Sequence, residues 1–106
     1  MNVLDHTFNA LADPTRRAIL VRLAQGEATV GELAKPFAIS QPAISRHLKV
    51  LEKAALISNE RQGKHRRCRL RPEALDSATE WLEFHRRFWT GSLDRLDAML
   101  KSEDKP

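Results

Sequence analysis

Ser40-Gln41-Pro42-Ala43-Ile44-Ser45-Arg46-His47-Leu48-Lys49-Val50-Leu51-Glu52 is the stretch whose reading decides the fold. Ser40 is a good N-cap, because a short side-chain oxygen can accept from the unpaired N–H groups of a first helical turn. Ile44, Leu48 and Leu51 then recur at helical spacing and predict one buried side. Gln41, Ser45, Arg46 and Lys49 fall on the other side. An amide, a small hydroxyl and two cations suit the edge of a DNA groove: Gln pairs with adenine, Arg with guanine, and Ser with several bases. A merely solvated helix face uses the same residue types, so the neighbouring segments must decide.

Immediately upstream, Thr29-Val30-Gly31-Glu32 fits a capping box, with Thr as cap and Glu three residues on. It opens a short helix through about Lys35 that turns Val30, Leu33 and Ala34 inward, and Pro36 discourages its continuation. Phe37-Ala38-Ile39 then makes a tight turn into the Ser40-capped helix. Two helices so joined, the second polar on its outer side, are the helix-turn-helix pattern. Further back, Leu4, Phe8 and Leu11 mark a first helix over residues 3–12. Asp13-Pro14 starts a second, with Asp as N-cap and Pro where its missing N–H costs nothing. That helix runs to about Gln25, buries Ile19, Leu20 and Leu23, and ends at Gly26. Arg16, Arg17 and Arg22 lie off its apolar stripe and read as solvated, with contact of one of them to phosphate as the alternative.

Downstream the period changes. Residues 56–61 and 66–70 flank Gln62-Gly63-Lys64-His65 and predict a hairpin. In the second strand Cys68 and Leu70 share one face, while Arg67, Arg69 and Arg71 share the other. A hairpin tipped by Lys64, His65 and Arg66 behind a reading helix is a wing, whose cations can follow the backbone or enter a minor groove. Cys68 reads as a packing residue, since a redox switch would need a resolving partner that one thiol per chain does not supply. Pro72-Glu73 restarts a helix that holds to about Leu100, roughly 40 Å long at the α-helical rise. Its apolar residues cover about half the circumference and include Trp81 and Trp89. A helix packed only on its own small domain needs a narrower stripe, so the surplus predicts a partner subunit.

The charge distribution agrees. Of the 106 residues, 35–71 carry ten Lys and Arg against Glu52 and Glu60, a balance of +8. Residues 1–34 balance to −1 and residues 72–106 to −3. A basic middle between acidic ends is the footprint of a module that docks on phosphate. No apolar run reaches the length of a membrane span and no signal pattern opens the chain, while a single Cys fits a reducing compartment. The expectation is a cytoplasmic protein without a membrane partner.

Order and residues together resemble the ArsR/SmtB family of winged-helix repressors. The pieces that carry the resemblance are Ala12-Asp13-Pro14-Thr15-Arg16-Arg17-Ala18-Ile19-Leu20, Val30-Gly31-Glu32-Leu33-Ala34, residues 40–51, Leu56-Ile57 and the Gly63 wing. The resemblance implies one winged helix-turn-helix domain over residues 1–106, mainly α with five helices and a two-stranded β-wing. Residues 29–54 would form the helix-turn-helix, 56–71 the wing, and 1–12 with 72–100 the dimerisation helices. It implies a homodimer on double-stranded DNA, binding an imperfect inverted repeat and repressing its own operon. Ser40, Gln41, Pro42, Ser45, Arg46, His47 and Lys49 would contact DNA from the reading helix, although His47 also suits packing beside it. Arg61, Lys64, His65, Arg66, Arg67 and Arg69 would do so from the wing. Leu4, Phe8, Trp81, Phe84, His85, Phe88, Trp89, Leu96 and Met99 would line the dimer interface. Many members leave DNA when a metal or other signal binds, so an unidentified small-molecule or other inducer is a further candidate partner.

Two departures bear on metal. Sensors in this family often carry Cys-x-Cys where this chain has Thr29 and Gly31, and neither supplies a thiolate. Another group holds zinc between last helices; Glu83-Phe84-His85 mimics half of that motif, but Leu96 and Met99 occupy the other half. Two ligands alone make a poor zinc site, and no metal or cofactor is expected. No nucleophile–base pair, phosphate loop or carboxylate dyad has a persuasive spacing, which argues against an enzyme. The competing reading is a non-specific architectural DNA binder, which would show little preference among duplexes. A protein-interaction module is a third reading, and it leaves the basic middle as coincidence.

Overall fold

The computed structural model describes residues 2–103, with the side chains of residues 102 and 103 left aside. Residues 1 and 104–106 of the expected domain lie outside that range. Helix α1 (Val3–Leu11) opens on a capping box between Asn2 and Asp5. Asp13 caps α2 (Pro14–Ala24) by accepting from the Arg16 N–H, with Pro14 in the first turn. At Gly26, with φ 146, the chain turns away in a conformation that side-chain-bearing residues rarely adopt.

Strand β1 (Ala28–Thr29) leads into α3 (Val30–Ala34), where Thr29 and Glu32 form the expected capping box. Pro36 does not simply end this helix. It sits within a 3-10 turn over Lys35–Phe37, after which Ala38 adopts a left-handed φ of 53 and redirects the chain. Helix α4 (Gln41–Lys53) starts at Ser40, whose hydroxyl accepts from the Ala43 N–H at 3.2 Å.

The end of α4 is closed by two reversed bonds. The Leu56 N–H reaches the Leu51 carbonyl at 3.0 Å and the Ala55 N–H reaches Glu52 at 2.9 Å, with Ala55 at φ 58. This is the Schellman arrangement, and both Leu51 and Leu56 are buried beneath it. Strands β2 (Ile57–Gln62) and β3 (His65–Leu70) pair antiparallel, joined by Gly63-Lys64 with Gly63 at φ 60.

The expected two-stranded wing is corrected to a three-stranded sheet of order β1-β3-β2. Ala28 pairs with Cys68 and Thr29 with Arg67. Two residues have no periodicity to read, so β1 is visible only once β3 lies beside it.

The core gathers one side of each element: Ile19 and Leu23 from α2, Leu33 from α3, Ile44, Leu48 and Leu51 from α4, and Cys68 from β3. Leu20 and Val30 pack at its edge. The last segment begins with a 3-10 turn, Pro72–Leu75, and only then becomes α5 (Asp76–Glu103). At 1.5 Å per residue its 28 residues span about 42 Å. The molecule accordingly measures 74 × 26 × 26 Å. Among the described residues no helix is long and apolar enough to cross a membrane.

Candidate nucleic-acid interface

The buried stripe of α4 fixes which side chains face outward. With Ile44, Leu48 and Leu51 in the core, Gln41, Arg46 and Lys49 are exposed and Ser45 is half-buried. Ser40 and Pro42 are exposed at the start of the helix, Ser40 engaged in its cap. The sheet brings the wing alongside. A groove runs between α3, the start of α4 and the hairpin tip, and Gln41, Ser45, Lys35, Lys64, His65 and Arg66 line it. Residues more than twenty positions apart thus share one concave surface. Among the described residues, no carboxylate lies within ion-pair distance of Arg46, Lys49, Arg61, Lys64 or Arg66. Arg46 makes only a long 3.5 Å bond to the Pro42 carbonyl, and Arg61 one of 3.4 Å to Gly63. These cations face solvent uncommitted.

Ser40, Pro42, Arg46, Lys49 and Arg61 lie outside the lining of this groove, and three further residues expected to contact DNA are engaged with other parts of the fold. His47 is turned toward the junction of α1 and α2, with Nδ1 3.4 Å from an Arg16 nitrogen and 3.9 Å from the Asp13 carboxylate. Arg67 and Arg69 project from the opposite face of β3, where Glu27 holds both. Arg69 donates to Glu27 Oε2 through Nε at 3.2 Å and Nη2 at 3.0 Å, and Arg67 Nη1 is 3.6 Å from Glu27 Oε1. The alternation of β3 that buries Cys68 sends its neighbours away from the groove.

Arg16 is half-buried rather than solvated, and Arg17, although exposed as expected, also engages the fold. Arg16 donates to the Ala10 and Asn9 carbonyls at 2.8 Å each, and Arg17 to that of Leu11 at 2.8 Å. The last carbonyls of a helix have no intrahelical donor, and these guanidinium groups supply one. The sharp Asp13-Pro14 restart after α1 was the available signal, since it folds the second helix back over the end of the first.

The apolar side of α5 is largely uncovered. Among its described residues only Ala78 is buried; Trp81 is 41% exposed, Phe84 69%, Phe88 60% and Trp89 61%. Leu96 and Met99 are exposed as well, and Leu4 is half-buried. At its near end Phe8 meets Trp81 edge-on at 5.7 Å, and Trp81 stacks on His85 at 3.8 Å. His85 Nδ1 lies 2.8 Å from the Trp81 carbonyl, and Glu83 pairs with Arg86. Glu83 and His85, the two residues that mimic half of the zinc motif, are therefore both engaged within their own helix. Among the described residues no three His, Cys, Asp or Glu side chains gather as metal ligands.

Residues 13–59, from the cap of α2 through the start of the wing, match the bacterial regulatory protein, arsR family. The chain is 43% identical over 99 residues to the HTH-type transcriptional regulator Rv2034 of Mycobacterium tuberculosis, covering 93% of this chain and 90% of that protein. The chain belongs to the ArsR family. It is 39% identical to the transcriptional repressor SdpR of Bacillus subtilis, over 74% of this chain and 88% of that one. A solved ArsR family transcriptional regulator superposes with a TM-score of 0.79 at 42% identity, covering 83% and 91% of the two chains. An ArsR-like regulator from Rhodococcus sp. RHA1 superposes with a TM-score of 0.73 at 29% identity, over 97% and 93%. The five helices and wing are thus an ArsR winged helix-turn-helix, and the protein is a transcriptional regulator with a DNA-binding fold, not an enzyme.

Proposed function

We propose that this ArsR regulator is a cytoplasmic, dimeric repressor that reads an imperfect inverted repeat upstream of its own gene. The observation that carries the reading is the convergence of Gln41 and Ser45, at the start of the polar face of α4, with Lys64, His65 and Arg66 of the wing tip on one groove. Gln41 and Arg46 read bases and Ser45 assists, each having the hydrogen-bonding pattern that a major-groove edge requires. Lys49, Arg61, Lys64, His65 and Arg66 supply backbone affinity, while Ser40 and Pro42 set the start of the reading helix. His47 acts through packing at the α1–α2 junction. The uncovered aromatic side of α5, with Leu4 and Phe8 of α1, takes a second copy, so that two α4 helices face successive major grooves. Repression is supported by the name carried by the Bacillus relative.

The test is fluorescence anisotropy on the duplex upstream of the gene against a scrambled duplex, near physiological salt, with and without zinc. Selective, zinc-indifferent binding is the expected outcome. Equal affinity for both duplexes would make the protein an architectural binder, and release by zinc would restore a metal site around His85.

A further inference from the structure

The wing is electrically two-sided. Its tip presents Lys64 and Arg66 to the groove, with Arg61 paired across the hairpin from Arg66, and none of the three has an ion-pair partner among the described residues. Its far side gathers Arg67 and Arg69 with Glu27 and Glu60, a shallow surface on which the formal charges cancel. Glu27 makes the closest contacts there, with both of its carboxylate oxygens engaged by arginines. It reaches Arg69 from 42 residues away, because β1, which it immediately precedes, is laddered to β3 at Cys68 and Arg67. Backbone pairing therefore delivers the carboxylate to the arginines.

A guanidinium fork binds carboxylate and phosphate oxygens in the same bidentate manner. Glu27 thus occupies two donors of Arg69 and pairs at longer range with Arg67, whose Nε donates to Gln62 Oε1 at 3.1 Å, so both guanidinium groups have partners other than a nucleic-acid backbone. We propose that Glu27 is a specificity-determining residue, which restrains sequence-independent affinity by holding the guanidinium groups of two arginines that β3 turns to the far side of the wing, so that neither reaches round to phosphate. This inference rests on the DNA-binding reading above. Each phosphate contact contributes about 0.9 to the slope of log affinity against log salt, without regard to sequence. Withholding two such contacts lowers the background against which Gln41 and Arg46 discriminate.

The test compares wild type, Glu27→Gln, and the triple variant Glu27→Gln/Arg67→Gln/Arg69→Gln on the upstream and scrambled duplexes across a salt series, with thermal melts of each protein. Glu27→Gln is expected to bind the scrambled duplex several-fold more tightly at low salt. Its salt slope should steepen by roughly 1–2, and the ratio of upstream to scrambled affinity should fall. The triple variant should return to the wild-type slope, which assigns the gain to the two arginines. A Glu27→Gln protein with wild-type slope and ratio overturns the inference while leaving the proposed function intact. So does a Glu27→Gln protein that melts earlier and binds more weakly, which would reduce Glu27 to an anchor for β1. Wild type that binds no duplex overturns both.

Discussion

At the scale of single residues, the interface separates side chains committed to the fold from those left uncommitted. Arg16 on α2 and Arg46 on α4 are chemically identical. Arg16 is spent on the carbonyls that end α1, whereas Arg46 makes one long bond and faces solvent. Arg46→Ala is therefore expected to leave stability nearly unchanged and to weaken binding to the cognate duplex by about 1–3 kcal/mol, with little loss on a scrambled one. Anisotropy on the two duplexes reads the difference, and an equal loss on both would remove Arg46 from base reading.

Asp13 is also committed. The Arg16 backbone N–H, with help from the charges of His47 and Arg16, holds its carboxyl below the ordinary value of 3.8. A carboxyl whose pKa is lower folded than unfolded stabilises the fold above its unfolded pKa, and that contribution disappears as pH falls through the folded value. Asp13→Asn, which retains a capping oxygen, should flatten the loss of stability on acidification below about pH 4. Urea unfolding at pH 7 and at pH 3 measures it, and an identical pH dependence in both proteins would deny Asp13 that role. Burial pushes the Cys68 thiol the other way, up to about 11, which keeps it protonated and matches its place in the core.

At the scale of elements, the two ends of α4 show unequal adaptation. Its start has Ser40 and a proline in the first turn, both well suited to their positions. Its end has a complete Schellman arrangement built on an alanine at φ 58, where glycine is the favoured residue. Ala55→Gly is expected to raise stability by about 1 kcal/mol, because the left-handed region costs a residue with a Cβ roughly that much. Urea denaturation would show it as a higher midpoint with the same slope. A lower midpoint would mean that the alanine methyl contributes more than the backbone strain removes.

The same element-scale view explains the wing. A strand of six residues in which Cys68 and Leu70 alternate with arginines is legible in sequence, and β3 is one. A strand of two residues is not, yet β1 decides where Glu27 stands and hence which partner Arg67 and Arg69 find on the far side of the wing.

At the scale of the whole molecule, a small core is joined to a helix of about 42 Å that leaves most of its apolar side bare. Chains near this length bury a limited share of their surface when folded alone, and pairing along α5 would supply what is missing. Sedimentation should find a dimer at micromolar concentration. Phe88→Glu, at a side chain 60% exposed, should give a folded monomer that loses affinity for the inverted repeat far more than for a single half-site. A wild-type monomer, or an undisturbed Phe88→Glu dimer, would place the interface elsewhere.

The sequence by itself determined whatever is encoded within one helical turn or one strand period. The caps at Asp13, Thr29 and Ser40, the buried stripe of α4, the hairpin at Gly63 and the apolar excess of α5 all follow from neighbours three or four positions apart, or from alternation. Hydrogen bonding and side-chain direction at that range depend on the local backbone alone. Only the tertiary structure decided how each cation is used. Arg16 and Arg17 close α1, Arg67 and Arg69 turn to Glu27, His47 turns inward, and Lys64 with Arg66 joins Gln41 in the groove. Charge has no period, so an arginine's partner is set by which distant segment the packing of the core brings within reach of its guanidinium.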